Sequence, residues 1–174
     1  MKLASRLLTG SLVVITTLVA AIVIIAGSRL RSRLVEEKTD ELARAARLVA
    51  SQWHRGLDAD SLAHADGVAL GYRVTLVDSL GAVAGDAEFG PDARRRLENH
   101  ATRPEIITAR ETGTGSSRRR SASAGDEELY VAVRHPLGYV RVSITTQRLD
   151  AVVSGAQRDV LAGGLVALGG ALLL

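Results

Sequence analysis

The chain has no cysteine among its 174 residues, which excludes disulfides and thiolate metal sites. Aromatic residues make up only 3%, with one Trp, one Phe and three Tyr, and there are only three prolines. A nucleophile elbow, a phosphate-binding Walker loop, an HExxH helix and a dinucleotide fingerprint are all missing. The four His residues have no partners at useful spacing, so no catalytic site is expected in this segment. The formal charge of +3 does not point to nucleic acid. Setting aside Lys2 and Arg6 leaves 20 basic against 19 acidic residues, which is close to neutral.

What the chain does have is a long uncharged run, Leu7 to Gly27, with Thr9, Ser11, Thr16 and Thr17 as its only polar side chains. As a helix it would be about 31 Å long, the thickness of a bilayer core, and it is apolar on every face. It exceeds the length of a signal-peptide apolar region, so an uncleaved anchor is the better reading. A second apolar run, Val160 to Leu174, is too short to cross a bilayer, and the expectation is a second span continuing past Leu174. Lys2 and Arg6 favour residues 1–6 in the cytoplasm, whereas Arg29, Arg31 and Arg33 oppose this. A long loop translocates largely regardless of charge, so the segment between the spans is placed outside.

That segment, 28–159, is long enough for one small domain. From Ser28 to about Gly56 the pattern is helical. Leu30, Leu34, Val35, Leu42, Ala45, Ala46, Leu48, Val49 and Trp53 share one broad face, with firmer burial expected from Leu42 onward. Gly56 reads as the stop of this stalk, and Asp58 or Asp60 as the cap of a short helix from Ser61 to Leu70.

After Gly71 the period becomes 2. Tyr72 to Asp78 and Ala82 to Asp86 read as strands about a turn at Ser79-Leu80-Gly81. Gly90-Pro91-Asp92 opens a helix expected to reach about His100, and Arg103-Pro104-Glu105 another to about Glu111. Three strands follow, Ser116–Ser123, Glu128–His135 and Tyr139–Thr146, with turns at Ala124 to Glu127 and Pro136 to Gly138. Gln147 to Asp159 reads as an exit helix. The predicted fold class is α+β: two transmembrane helices flanking a PAS-like or Cache-like outer domain. That domain has a long N-terminal helix and a five-stranded antiparallel sheet, one face packed on helices and the other a shallow pocket.

Three groups of residues are candidates for chemistry. Glu98, Asn99 and His100 with Glu105 could supply metal ligands, but the spacing does not bring them onto one helical face. A structural polar cluster is the better reading. Arg118 and Arg120 share one face of a strand and, with Arg134, could hold an anion if that face lines the pocket. A charged edge strand explains them better. Gly163, Ala167 and Ala171 recur every four residues, as in close-packed membrane helices, and an Ala- and Gly-rich composition explains them equally well.

Several stretches taken together resemble the extracytoplasmic region of phosphate-regulon-type sensor histidine kinases. They are Arg73-Val74-Thr75-Leu76-Val77-Asp78 then Gly81, Glu98-Asn99-His100 with Arg103-Pro104-Glu105-Ile106, Gly115-Ser116-Ser117-Arg118, Glu128-Leu129-Tyr130-Val131-Ala132-Val133, and Gly138-Tyr139-Val140-Arg141-Val142-Ser143. The resemblance implies a homodimeric receptor in the bacterial cytoplasmic membrane, with lipid and an envelope protein as partners on its own side. A cytoplasmic kinase core would follow beyond Leu174, using ATP and Mg and passing phosphate to a response regulator. No cofactor is expected in residues 1–174, and the resemblance supplies no ligand residues. The competing readings are the input region of a chemoreceptor or diguanylate cyclase, and an envelope adaptor with no output domain.

Overall fold

The structure is a computed structural model that describes residues 2–121 and 125–172. Ala122, Ser123 and Ala124, where the third predicted strand ends and its turn begins, lie outside the described residues. The chain divides into two units, one of residues 36–146 and one of residues 1–35 with 147–174.

The first element is α1, Lys2–Gln52. Within it, an 18-residue window reaches a mean hydropathy of 2.3, long and apolar enough to cross a membrane. In the unit of residues 1–35 and 147–174, α1 pairs with the last helix, α5 (Gln147–Leu172). Arg31 Nη2 donates to Asp150 Oδ1 at 2.7 Å. A Cβ placed on Gly164 would lie 3.8 Å from Val19, whereas one on Gly163 would meet nothing. Within this chain it is therefore Gly164, not Gly163, that faces α1. The side chains of Ala167 and Ala171 lie outside the described residues.

In the unit of residues 36–146, the end of α1 lies against a sheet. Leu42, Ala46 and Val49 are fully buried, and Trp53 stacks on His135 with ring centroids 5.0 Å apart. The stripe is narrower than predicted, because Leu48 is 53% exposed and Leu30 is exposed as well. The helix also ends at Gln52, four residues short of Gly56, where the Trp53 ring turns onto His135. Next comes α2, Ala59–Leu70, capped by Asp58, whose carboxylate accepts from Ser61 N at 2.9 Å. It closes on Gly71 at φ 68°.

The strands are β1 (Arg73–Asp78), β2 (Val83–Asp86), β3 (Thr114–Arg120), β4 (Glu127–His135) and β5 (Gly138–Thr145). They form one sheet in the order β2-β1-β5-β4-β3, antiparallel throughout, as the alternating pattern predicts. Register fixes two faces. Val74, Leu76, Leu129, Val131, Val140 and Val142 form an apolar one, shared with His135 and so with the stalk. The other carries Arg73, Thr75, Tyr130, Ala132 and Arg141.

Two helices lie between β2 and β3: α3 (Pro91–Arg94) and α4 (Pro104–Thr112). The predicted helix to His100 stops at Arg94 for a local reason. Asn99 donates to Leu80 O at 2.9 Å and accepts from Ala101 N at 2.8 Å, and His100 N donates to Gly81 O at 2.7 Å. These bonds tie residues 99–101 to the β1–β2 turn instead of to a helix. α4 packs on the second sheet face, where Ile106 and Ala109 meet Val77, Ala132 and Tyr139 in a closed cluster. That face is thus partly roofed, not an open shallow pocket.

Candidate ligand-binding site

Beyond α4 the roof is formed by the loop that Asn99 and His100 pin down, and a cavity of about 300 Å³ lies beneath it. Strand alternation sets its floor. Arg119 on β3, Tyr130 on β4 and Arg141 on β5 project from one face. The loop supplies Arg96, His100 and Arg103.

A buried carboxylate organises the floor. Glu105, in the first turn of α4, is fully buried. It accepts from Arg119 Nη2 at 2.9 Å and from Ser117 Oγ at 2.5 Å, with Arg141 Nη1 at 3.7 Å. Burial works to raise its pKa, but the hydrogen bonds from Arg119 and Ser117 outweigh that and hold it below the ordinary value. It therefore stays ionised behind the arginines.

Arg141 is 3% exposed, between Val140 and Val142 in sequence. Its Nη2 donates to Thr75 Oγ1 at 3.1 Å, and its Nε–H has no partner. Burial, and then the nearby Arg73 charge, lower its pKa to about 10, so it still carries a full charge near neutrality. Arg73 itself is occupied by Asp86, at 3.0 Å. The Tyr130 ring lies between two guanidinium groups, Arg119 at 4.1 Å and Arg141 at 5.0 Å from its centroid.

His100 is 5% exposed. Its Nδ1 lies 2.6 Å from Glu98 O, and because a carbonyl only accepts, Nδ1 holds the proton. Burial, followed by the Arg141 charge, lowers its pKa to about 4, so the ring is neutral at physiological pH. Arg103 Nη2 donates to Glu98 Oε2 at 2.8 Å. Glu98, His100 and Glu105 thus have separate structural partners. Among the described residues no group of three or more His, Asp or Glu is placed to hold a metal.

The residues singled out from the sequence are not brought together. Arg118 and Arg120 alternate with Arg119 and so point to the opposite face of β3 from the cavity. Arg118 is bound to Glu127 at 2.9 Å, and Arg120 is exposed at the strand end. Arg134 lies five residues along β4 from Leu129, the register partner of Arg118, and donates to Arg110 O at 3.2 Å. The β3 arginine that lines the cavity is Arg119, with Arg141 beside it on the sheet, and Arg118 and Arg120 lie on an edge strand as the preferred reading had them. The available signal was Arg141 itself, a lone charge inside an otherwise apolar strand.

No protein-family model matches the sequence, and neither does any curated protein. Solved structures do match. The ligand-binding domain of the Pseudomonas aeruginosa PAO1 amino acid chemoreceptor PctC, in complex with GABA, is similar over 76% of this chain and 65% of that one. The TM-score is 0.52 at 17% identity. An extracellular ligand-binding receptor from Desulfohalobium retbaense DSM5692 is similar over 74% of this chain and 26% of that one, with a TM-score of 0.53 at 16% identity. The chain therefore has the fold of extracellular ligand-binding sensor domains and spans less than two thirds of the length of either neighbour.

Proposed function

We propose that this chain is the membrane-anchored, extracytoplasmic input region of a signalling receptor, and that the arginine-walled cavity is its ligand site. One observation carries the reading: α1 holds a bilayer-length apolar window and then the buried stripe of a domain with a sensor fold. Residues 28–159 are the outer domain in this reading, and 7–27 and 160–174 belong to spans in the cytoplasmic membrane. The test uses the absence of native Cys. Leu80 is 78% exposed in the β1–β2 turn. Leu80→Cys in intact cells reacts with a membrane-impermeant maleimide if the domain lies outside. Labelling only after lysis refutes the reading.

Within that reading, the resemblance to phosphate-regulon-type kinases favours a homodimeric sensor histidine kinase. ATP and Mg are then confined to a cytoplasmic core, with a response regulator as its partner. The fold shared with an amino acid chemoreceptor supports the second reading, a chemoreceptor input region. The coding sequence after residue 174 separates them. A linker followed by a His-containing dimerisation helix selects the kinase, and a long methylation coiled coil selects the chemoreceptor.

A further inference from the structure

The cavity wall specifies a class of ligand. Four guanidinium groups line it, from Arg96, Arg103, Arg119 and Arg141, against one carboxylate, Glu98. That carboxylate is bound to Arg103. Glu105 lies behind the floor and is committed to Arg119, Ser117 and Arg141. Glu128, opposite Arg119 in register, does not line the cavity. Three of the four arginines keep a buried Nε–H with no acceptor: Arg103, Arg119 and Arg141. A buried guanidinium donor left unmet is costly, and Arg suits oxygen acids because its fork presents parallel N–H donors. Counted as formal charges, the four guanidinium groups exceed the two carboxylates Glu98 and Glu105 by two, which a dianion balances and a monoanion does not.

Equally informative is what the wall cannot hold. An ammonium group needs a free carboxylate or an open aromatic face. The one carboxylate on the wall, Glu98, is bound to Arg103, and the Tyr130 ring is already occupied by Arg119 and Arg141. His100, holding its proton on Nδ1 toward Glu98 O, adds no negative charge.

We propose that this cavity binds a small doubly charged oxygen-acid anion, of the dicarboxylate or inorganic phosphate kind, and rejects zwitterionic amino acids. Arg141 and Arg119 meet the anion's oxygens from the sheet, and Arg96 and Arg103 from the loop, as the two acid groups of a dicarboxylate or the several oxygens of one phosphate allow. The inference rests on the sensor reading and names the ligand class of the same cavity.

The test is calorimetric titration of the full chain in lipid nanodiscs with succinate, inorganic phosphate, acetate and γ-aminobutyrate in turn. Succinate or phosphate should bind saturably, about tenfold or more tighter than acetate, and γ-aminobutyrate should give no heat. Which dianion binds tells the carboxylate source from the phosphate source. Arg96→Glu lies on the exposed loop and leaves the core intact, and Arg141→Lys keeps the buried charge. Each should weaken the dianion about tenfold or more. Binding of γ-aminobutyrate as tight as that of succinate overturns the proposal. So does silence from both dianions, or unchanged affinity in both variants. The sensor reading fails separately, through the Leu80→Cys labelling. Silent titrations with Leu80→Cys labelled from outside remove only the ligand class.

Discussion

Glu105 of α4 meets Arg119 of β3 at 2.9 Å, with the carboxylate fully buried and the guanidinium open to the cavity. The pair joins the roof helix to the floor strand, and its electrostatics differ on its two sides. Removing the acid strands Arg119 and Arg141 near each other without their shared counter-charge. Glu105→Ala should therefore destabilise the fold by about 3 kcal/mol, as for other broken buried ion pairs. Denaturant titration of the purified chain reads this directly, and a loss below about 0.5 kcal/mol would place the pair among weak surface contacts.

Gly115 sets how closely that helix can sit. A Cβ there would collide with Glu105 O and lie 2.7 Å from Ala109 N, so β3 and α4 are in backbone contact at this point. Gly115→Ala should cost about 1–3 kcal/mol through overpacking. It should also weaken succinate or phosphate binding, because the helix it displaces carries Glu105. An unchanged melting temperature and affinity in Gly115→Ala would contradict this geometry.

His100 gives the domain an acid sensitivity with a defined window. Its pKa falls from 6.5 in the unfolded chain to about 4 in the fold, first through burial and then through Arg141. The unfolded chain thus binds the proton more readily. The histidine's contribution is complete above about pH 6.5 and is lost as pH falls toward about 4. Arg141, Arg103 and Glu105 are the charged groups that act on the ring, with Glu98 O accepting from its Nδ1. Melting temperatures should fall from pH 7 to pH 4.5, and His100→Gln should flatten the slope. His135, whose pKa burial also lowers, leaves a residual slope in that variant. Parallel pH profiles for wild type and His100→Gln would refute the assignment.

Trp53 is the end of the stalk's buried stripe, 7% exposed and stacked on His135. Trp53→Ala should cost about 3–5 kcal/mol, and Trp53→Phe clearly less because a ring still covers the imidazole. A neutral Trp53→Ala in the same denaturant assay would show that the stalk is not packed on the sheet.

Much of this architecture is legible in the sequence. The strands are announced by period-2 runs between Gly and Pro turns, and Leu42, Val49 and Trp53 are visible as a 3.6-residue stripe. The short α3 is not, since nothing local says that the Asn99 amide will reach back to Leu80 O. The place of Arg119 in the cavity wall is not legible on β3. Arg118-Arg119-Arg120 is symmetric as a sequence, and only the pairing of Ser117 with Tyr130 decides which side chain faces α4. The burial of Arg141 is not legible either, because charges in strands ordinarily face water, whereas here Thr75 and Glu105 make its burial tolerable.

The strand order has a consequence for assembly in time. β5, the last strand made, lies at the middle of the sheet between β1 and β4, so the β1–β2 and β3–β4 hairpins share no edge without it. Neither hairpin alone is a stable sheet in water. Closing the centre joins Arg73 to Ser143 and Asp78 to Gly138 across more than a third of the chain, a high-contact-order step that is intrinsically slow. While residues 73–137 wait for that strand, their pairing edges are open, and this is when the chain is most exposed to misassembly and proteolysis. A nascent chain halted before Gly138 should thus be protease-sensitive throughout β1–β4, with protection arriving in one step once Thr145 is present.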